Sequence, residues 1–167
     1  MDMQVRRPPL ETRRIPTVLH LGVNDVPYAY GRKSITTYQV AKILERNYGV
    51  MQMFWDAHGQ DVAQDMEGSL KIAFEAMLEG RSIDPYRPAM AQIQTRFRRF
   101  ISTQEVERMG FFTTRRAPNG GELSIPTKAA LRGVNHRLAR PYAITNPRRP
   151  SFRDTGTYET HFQAWTS

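Results

Sequence analysis

Apolar residues fall at helical spacing from about position 34 to position 101, and the pattern then breaks into short pieces punctuated by Pro and Gly. Val18, Leu19, Leu21 and Val23 form a β-prone run that stops at Asn24-Asp25, which predicts a strand over about 17–23. Ser34 or Thr36 can cap a first helix, in which Val40, Ile43, Leu44 and Tyr48 share a face and Gly49 suits the end. A longer helix is predicted from about 50 to 79, with Phe54, Ala57, Val62, Met66, Leu70, Ala73, Phe74, Met77 and Leu78 inward. Asp56, Asp65, Glu67, Lys71, Glu75 and Glu79 take its other face. A third spans about 88–101, with Met90, Ile93, Phe97, Phe100 and Ile101 inward. Ser102 to Glu105 reads as a capping box for a short helix ending at Gly110.

Beyond that point the elements shorten. Asn119-Gly120-Gly121 is a hairpin signal between two short strands. Thr127 caps a predicted helix with Ala130, Leu131, Val134 and Leu138 inward, and "RPYAITNPRRP" reads as extended. A last strand is predicted from about Thr157 to Trp165, with Tyr158, Thr160, Phe162 and Ala164 on one face and His161 and Trp165 on the other. The expected fold is α+β: several helices packed on a small antiparallel sheet, with extended Pro- and Arg-rich arms. Residues 1–16 are expected to form an N-terminal arm. Residues 17–167 form one α+β domain, with loop or extended insertions at about 111–126 and 139–156.

Charge adds a second layer. The net charge is +8, and of 24 basic residues only Lys33, Lys42, Lys71 and Lys128 are lysine. Arginine makes forked hydrogen bonds and tolerates desolvation, so this bias points to side chains that touch something. One acidic helical region, 34–80, sits inside an otherwise basic chain. The chain has no cysteine, which excludes disulfides and thiolate metal sites. No apolar run approaches the length of a membrane span, and the start does not read as a secretory signal.

Candidate chemistry is sparse. Asp154-Thr155-Gly156 matches three letters of the aspartic-protease loop, but such a loop needs an apolar strand before it and a second carboxylate. Here Arg148, Arg149, Pro150, Ser151, Phe152 and Arg153 precede it. The expected role is a structural turn in which Asp154 and Thr155 fold back on the backbone and Gly156 takes positive φ. His20, His58, His136 and His161 lie on four separate elements with no ligand spacing, apart from a His58/Asp61 pair at i, i+3. No catalytic, metal or cofactor site is expected. "RFRRF" interleaves Phe97 and Phe100 with Arg96, Arg98 and Arg99; the aromatics belong in a core, while Arg96 and Arg99 could meet phosphate.

Taken together, "RPSFRDTGTYETHFQAW" resembles the terminal pattern of neck and tail-completion proteins, structural parts of the head–tail junction of long-tailed bacteriophages. The matching positions are Pro150, Asp154, Thr155, Gly156, Tyr158 and Phe162, with Thr157-Tyr158 where that family usually carries Leu-Arg. "IPTKAALRGVNHRLARPY" and "ILERNYGVMQMFWDAHG" also resemble segments of phage structural proteins. The resemblance implies a virion protein, assembled in the host cytoplasm, that forms a ring of six or twelve copies without a catalytic site. It implies contact with head-completion, tail-tube or tail-terminator proteins, and passing contact with DNA. A tail terminator or minor tail protein is the related alternative. A non-specific nucleic-acid-binding protein is the alternative of another class. On the ring reading the interface candidates are Arg6, Arg7, Arg13, Arg14, Arg96, Arg99, Arg148 and Arg149, with the aromatic anchors Phe111, Phe112, Tyr142, Phe152 and Trp165. The acidic helix would then oppose the basic 81–116 region of the next copy.

Overall fold

The computed structural model describes residues 18–28, 35–110, 114–117 and 120–167. Arg6, Arg7, Arg13, Arg14, Phe111 and Phe112 lie outside the described residues. The fold is α+β. Strand β1 (Leu19–Val23) is followed by helices α1 (Thr37–Tyr48), α2 (Val50–Leu78) and α3 (Arg87–Ser102) and the single turn α4 (Glu105–Arg108). The hairpin strands β2 (Thr114–Arg116) and β3 (Glu122–Ser124) come next. The single turns α5 (Lys128–Leu131) and α6 (Thr157–Thr160) and the strand β4 (Phe162–Thr166) complete it.

Local chemistry sets the helix ends. Thr36 caps α1: its hydroxyl accepts from Gln39 N and the Gln39 side chain accepts from Thr36 N, a reciprocal box. The buried Thr37 hydroxyl donates to the Asn24 carbonyl at 2.5 Å and accepts from Val26 N at 2.8 Å, which pins α1 to the chain leaving β1. At Gly49 the backbone N–H donates to the Leu44 and Glu45 carbonyls, and α2 begins one residue later. No side chain at the cap position serves α2. The Glu45 carboxylate does so instead, accepting from Met51 N at 2.8 Å.

Helices α2 and α3 form an antiparallel hairpin. Arg96 bridges Asp61 at 3.1 Å and Asp65 at 2.9 Å, and the buried Ser69 hydroxyl donates to the Pro85 carbonyl at 2.6 Å. The core gathers where α2, α3 and β4 meet. Phe97 stacks on Phe162 with ring centroids 3.7 Å apart, and Phe54 meets Phe97, Phe100 and Phe162 edge to face. Strand β4 pairs antiparallel with β1, from Leu19 opposite Thr166 to Val23 opposite Phe162. Its inner face, Phe162 and Ala164, is buried against α3. Strands β2 and β3 form a separate antiparallel hairpin with Thr114 opposite Ser124, as its Gly-Gly turn signal predicts.

Five expectations need correction. The stretch expected as one strand over 157–165 splits: Gly156 starts the turn α6, and the strand begins only at Phe162. Tyr158 is buried all the same, but from a helical turn. The helix after Thr127 lasts one turn because Gly133, at φ +65, turns the chain away, which leaves Leu131 and Leu138 exposed. Ser102 belongs to the end of α3, and α4 starts behind Gln104 with no side-chain cap. Leu70, Phe74, Met77 and Leu78 face solvent, the inward places being taken by Val62, Ser69 and Ala76. Ile43 is likewise exposed.

Candidate functional site

The segment 126–156, part of the stretch read as resembling phage structural proteins, has little regular structure, so side chains hold its shape. Asp154 is the hub. One carboxylate oxygen accepts from His136 N at 2.8 Å, and the other lies 2.5 Å from His136 Nδ1. The second imidazole nitrogen, Nε2, is 3.0 Å from the Tyr142 hydroxyl. In the tautomer whose Nδ1–H donates to the carboxylate, Nε2 accepts from the phenol. The result is a chain of carboxylate, imidazole and phenol that orients an aromatic ring. Tyr142 is 72% exposed yet held at its far end, and Ile144, two residues on, is fully exposed.

Further bonds brace the frame. Arg149 donates to the carbonyls of Val134, Pro150 and Arg153, so its guanidinium ties its own loop to the segment at Val134. Arg148 pairs with Glu107, whose other oxygen accepts from the backbone N–H and the hydroxyl of buried Ser151 at 2.8 and 2.7 Å. Arg137 donates to the Thr155 carbonyl, and Arg153 pairs with the buried Glu159 at 2.8 Å. The Thr155 hydroxyl accepts from Thr157 N at 3.3 Å, and Gly156 adopts φ +81. The structural turn expected at Asp154, Thr155 and Gly156 is therefore present, but Asp154 reaches across the loop to His136 instead of folding back on its own backbone.

Beneath this frame lies a groove of about 420 Å³ walled by Tyr28, Leu44, Tyr48, Arg149, Asp154 and Tyr158. Burial pushes the Tyr28 hydroxyl up to about 12, with the Asp154 charge adding to it and a backbone hydrogen bond at Tyr158 opposing it. Burial also raises Tyr48 and, more strongly, Tyr158, where Glu45 and Tyr28 add to the effect. Burial lowers the Arg149 guanidinium, against the pull of Asp154. The groove thus favours neutral phenols.

A second, basic cleft of about 840 Å³ opens beside α3, lined by His58, Thr95, Arg96, Arg99, Glu105 and Arg108. His58 lies 3.3 Å from Asp61 through Nδ1, the i, i+3 pair read from the sequence. Its Nε2 sits 3.0 Å from Glu105 Oε1, close enough for charge attraction but off the angle of a hydrogen bond. Among the described residues, no helix is long and apolar enough to cross a membrane.

The sequence-derived interface residues sort into three groups. Arg96, Arg148 and Arg149 are engaged within the chain, and Phe152 packs edge to face on Tyr48 with centroids 4.9 Å apart. Arg99 lines the basic cleft, and Tyr142 is presented outward. Trp165 is half-exposed on the outer face of the sheet, stacked on His20 and lying over Gly22. Sequence reasoning missed His136, Glu107 and Ile144. His136 and Glu107 meet partners 18 and 44 residues away, and no local pattern signals that. No family model matches the chain, and no curated protein or solved structure is significantly similar to it.

Proposed function

We propose that this chain is a structural subunit of a long-tailed bacteriophage virion. It acts by protein–protein assembly, in a ring at the neck where head and tail join, without a chemical step. The observation that carries the reading is Tyr142. An aromatic ring mostly in solvent is held in one orientation by His136 and Asp154, next to a fully exposed Ile144. Fixing an exposed anchor before it binds removes part of the ordering cost of association, which is how an interface residue gains affinity. The frame that holds it contains Pro150, Asp154, Thr155 and Gly156, four of the positions that resemble the neck and tail-completion pattern. On this reading the neighbours are further copies of the chain and the adjoining head-completion, tail-tube or tail-terminator proteins.

Electron microscopy of the purified chain, paired with particles from a phage lacking it, tests the proposal. Closed rings and particles arrested before head–tail joining are expected. A lasting monomer together with normal particles would refute it. The double variant Tyr142→Ala/Ile144→Ser should lose assembly while keeping its circular-dichroism spectrum and melting temperature.

A second reading has an observation of its own. Arg96, Arg99 and Arg108 meet at one open cleft, where phosphate could sit. A nucleic-acid-binding protein would use that cleft in place of the Tyr142 frame. Tight DNA binding that falls steeply with salt, without self-assembly, would favour it.

A further inference from the structure

Helix α2 has two apolar faces, and the described residues of its own chain cover only one. The covered face runs through Phe54, Val62, Ser69 and Ala76. About a quarter-turn round the helix lie Gly59, Ala63, Met66, Leu70, Ala73 and Met77, spaced 4, 3, 4, 3, 4. That is the alternation of a coiled-coil seam, and it selects another helix as the partner, since a strand or loop presents no matching period. Met66 and Ala73 are half-buried at the edge shared with the core, while Ala63, Leu70 and Met77 are exposed. Phe74, Leu78 and Trp55 flank the seam and are exposed by 57%, 71% and 45%.

We propose that this seam pairs antiparallel with α2 of a second copy, about a two-fold axis near Gly68. Size favours a copy as the occupant. The seam is small at its N-terminal end, Gly59 and Ala63, and bulky at its C-terminal end, Met77 with Phe74 and Leu78 beside it. Reversing one copy against the other sets the bulky Met77 over Gly59 at each end, Ala73 over Ala63 where the helices come closest, and Leu70 beside Met66 near the axis. Self-complementarity of this kind is what a two-fold contact requires. Trp55 already lies against Gly59, so the Met77 thioether arrives beside an indole, a favourable pairing.

Charge agrees. Near the axis stand Glu67 and Lys71, an ion pair at 3.0 Å within each copy. In the antiparallel arrangement each also nears its opposite in the other copy, so no net repulsion builds up. Area agrees as well. The exposed fractions of Trp55, Leu70, Phe74, Met77 and Leu78 amount to nearly three whole large side chains. At roughly 200 Å² each that is about 550 Å² per copy, or ~1,100 Å² for the pair, before polar flanks bring it into the range of specific interfaces. The inference goes beyond the ring reading, since a two-fold pair joins two chains and does not itself close a ring.

Because the chain has no cysteine, paired thiols can report the arrangement. Differently tagged Ala63→Cys and Ala73→Cys chains, mixed and oxidised, should give a mixed cross-linked dimer. Neither should cross-link alone, because identical positions sit about ten residues, or ~15 Å, out of level. Sedimentation of the unmodified chain should show a dimer that Leu70→Glu/Met77→Glu converts to monomer with unchanged helicity. Self-cross-linking of Ala63→Cys, which means a parallel pair, would overturn the proposal. So would absence of the mixed cross-link. Rings that form without the cross-link would remove the seam and leave the ring reading intact. A cross-linked dimer that never forms rings would do the reverse.

Discussion

At the scale of single residues, two glycines with positive φ separate backbone strain from crowding. A Cβ added at Gly133 would meet the backbone carbonyls of Asn146 and, at 2.6 Å, Pro147, and neither can move without shifting the loop that carries Tyr142 and Ile144. At Gly156 the nearest obstacle is the Arg137 guanidinium, which can swing away. Gly133→Ala should therefore cost roughly 2–4 kcal/mol and Gly156→Ala nearer 1 kcal/mol, read by denaturant unfolding. Tyr28 gives a pH test. Its hydroxyl is raised to about 12 in the fold, against about 10 in the unfolded chain, so between those values the folded state holds the extra proton. Its contribution is complete below pH 10 and is lost as pH climbs toward 12. Unfolding midpoints taken across that window should fall, and Tyr28→Phe should flatten the part of the fall that Tyr28 causes. Gly156 was legible as a turn from its neighbours. Gly133 was not, because the need for it comes from carbonyls 13 and 14 residues along.

At the scale of elements, legibility follows the range of the forces. Helices α1, α2 and α3 carry apolar repeats, a capping threonine and terminal glycines, all local signals, and their spans agree with the sequence reading to within a residue or two. The hairpin β2–β3 announced itself through its Gly-Gly turn. The stretch 157–165 failed because apolar alternation there has two causes: Tyr158 is buried from a helical turn and Phe162 from a strand, and period 2 cannot tell them apart over so few residues. Helix α2 failed on orientation rather than existence. Its apolar residues span a wider arc than one partner helix can cover, so a rule that sends every apolar residue inward must misplace some of them. Phe97 sits where the elements converge, stacked on Phe162 and edge-on to Phe54 and Tyr158. Phe97→Ala should cost about 3–5 kcal/mol in equilibrium unfolding, because α2, α3, α6 and β4 all lose a contact to one cavity.

At the scale of the whole molecule, the arginine excess is partly spent at home. Of the acidic face of α2 that the sequence reading sets against the next copy, Asp65 is met within the chain by Arg96 of α3, which also bridges Asp61. Arg148, Arg149 and Arg153 likewise brace loops of their own chain. The count of 24 basic residues therefore overstates how many cations are free to meet a polyanion. Arg99 and Arg108, at the basic cleft, are the pair placed to meet phosphate. Each phosphate neutralised adds about 0.9 to the slope of log affinity against log salt, so two arginines predict a contribution near 2, whereas a dedicated DNA binder with 6–10 contacts shows a far steeper dependence. Anisotropy titrations of a labelled duplex from 50 to 200 mM salt should then show that Arg99→Ala/Arg108→Ala lowers the slope by about two. If the slope is unchanged, the cleft does not touch the backbone and the cations that do lie elsewhere in the chain. If the intact protein shows a slope of six or more and stays monomeric, charge rather than apolar contact drives its binding, and the exposed face of α2 and the tethered Tyr142 lose their reason to be held ready for another protein.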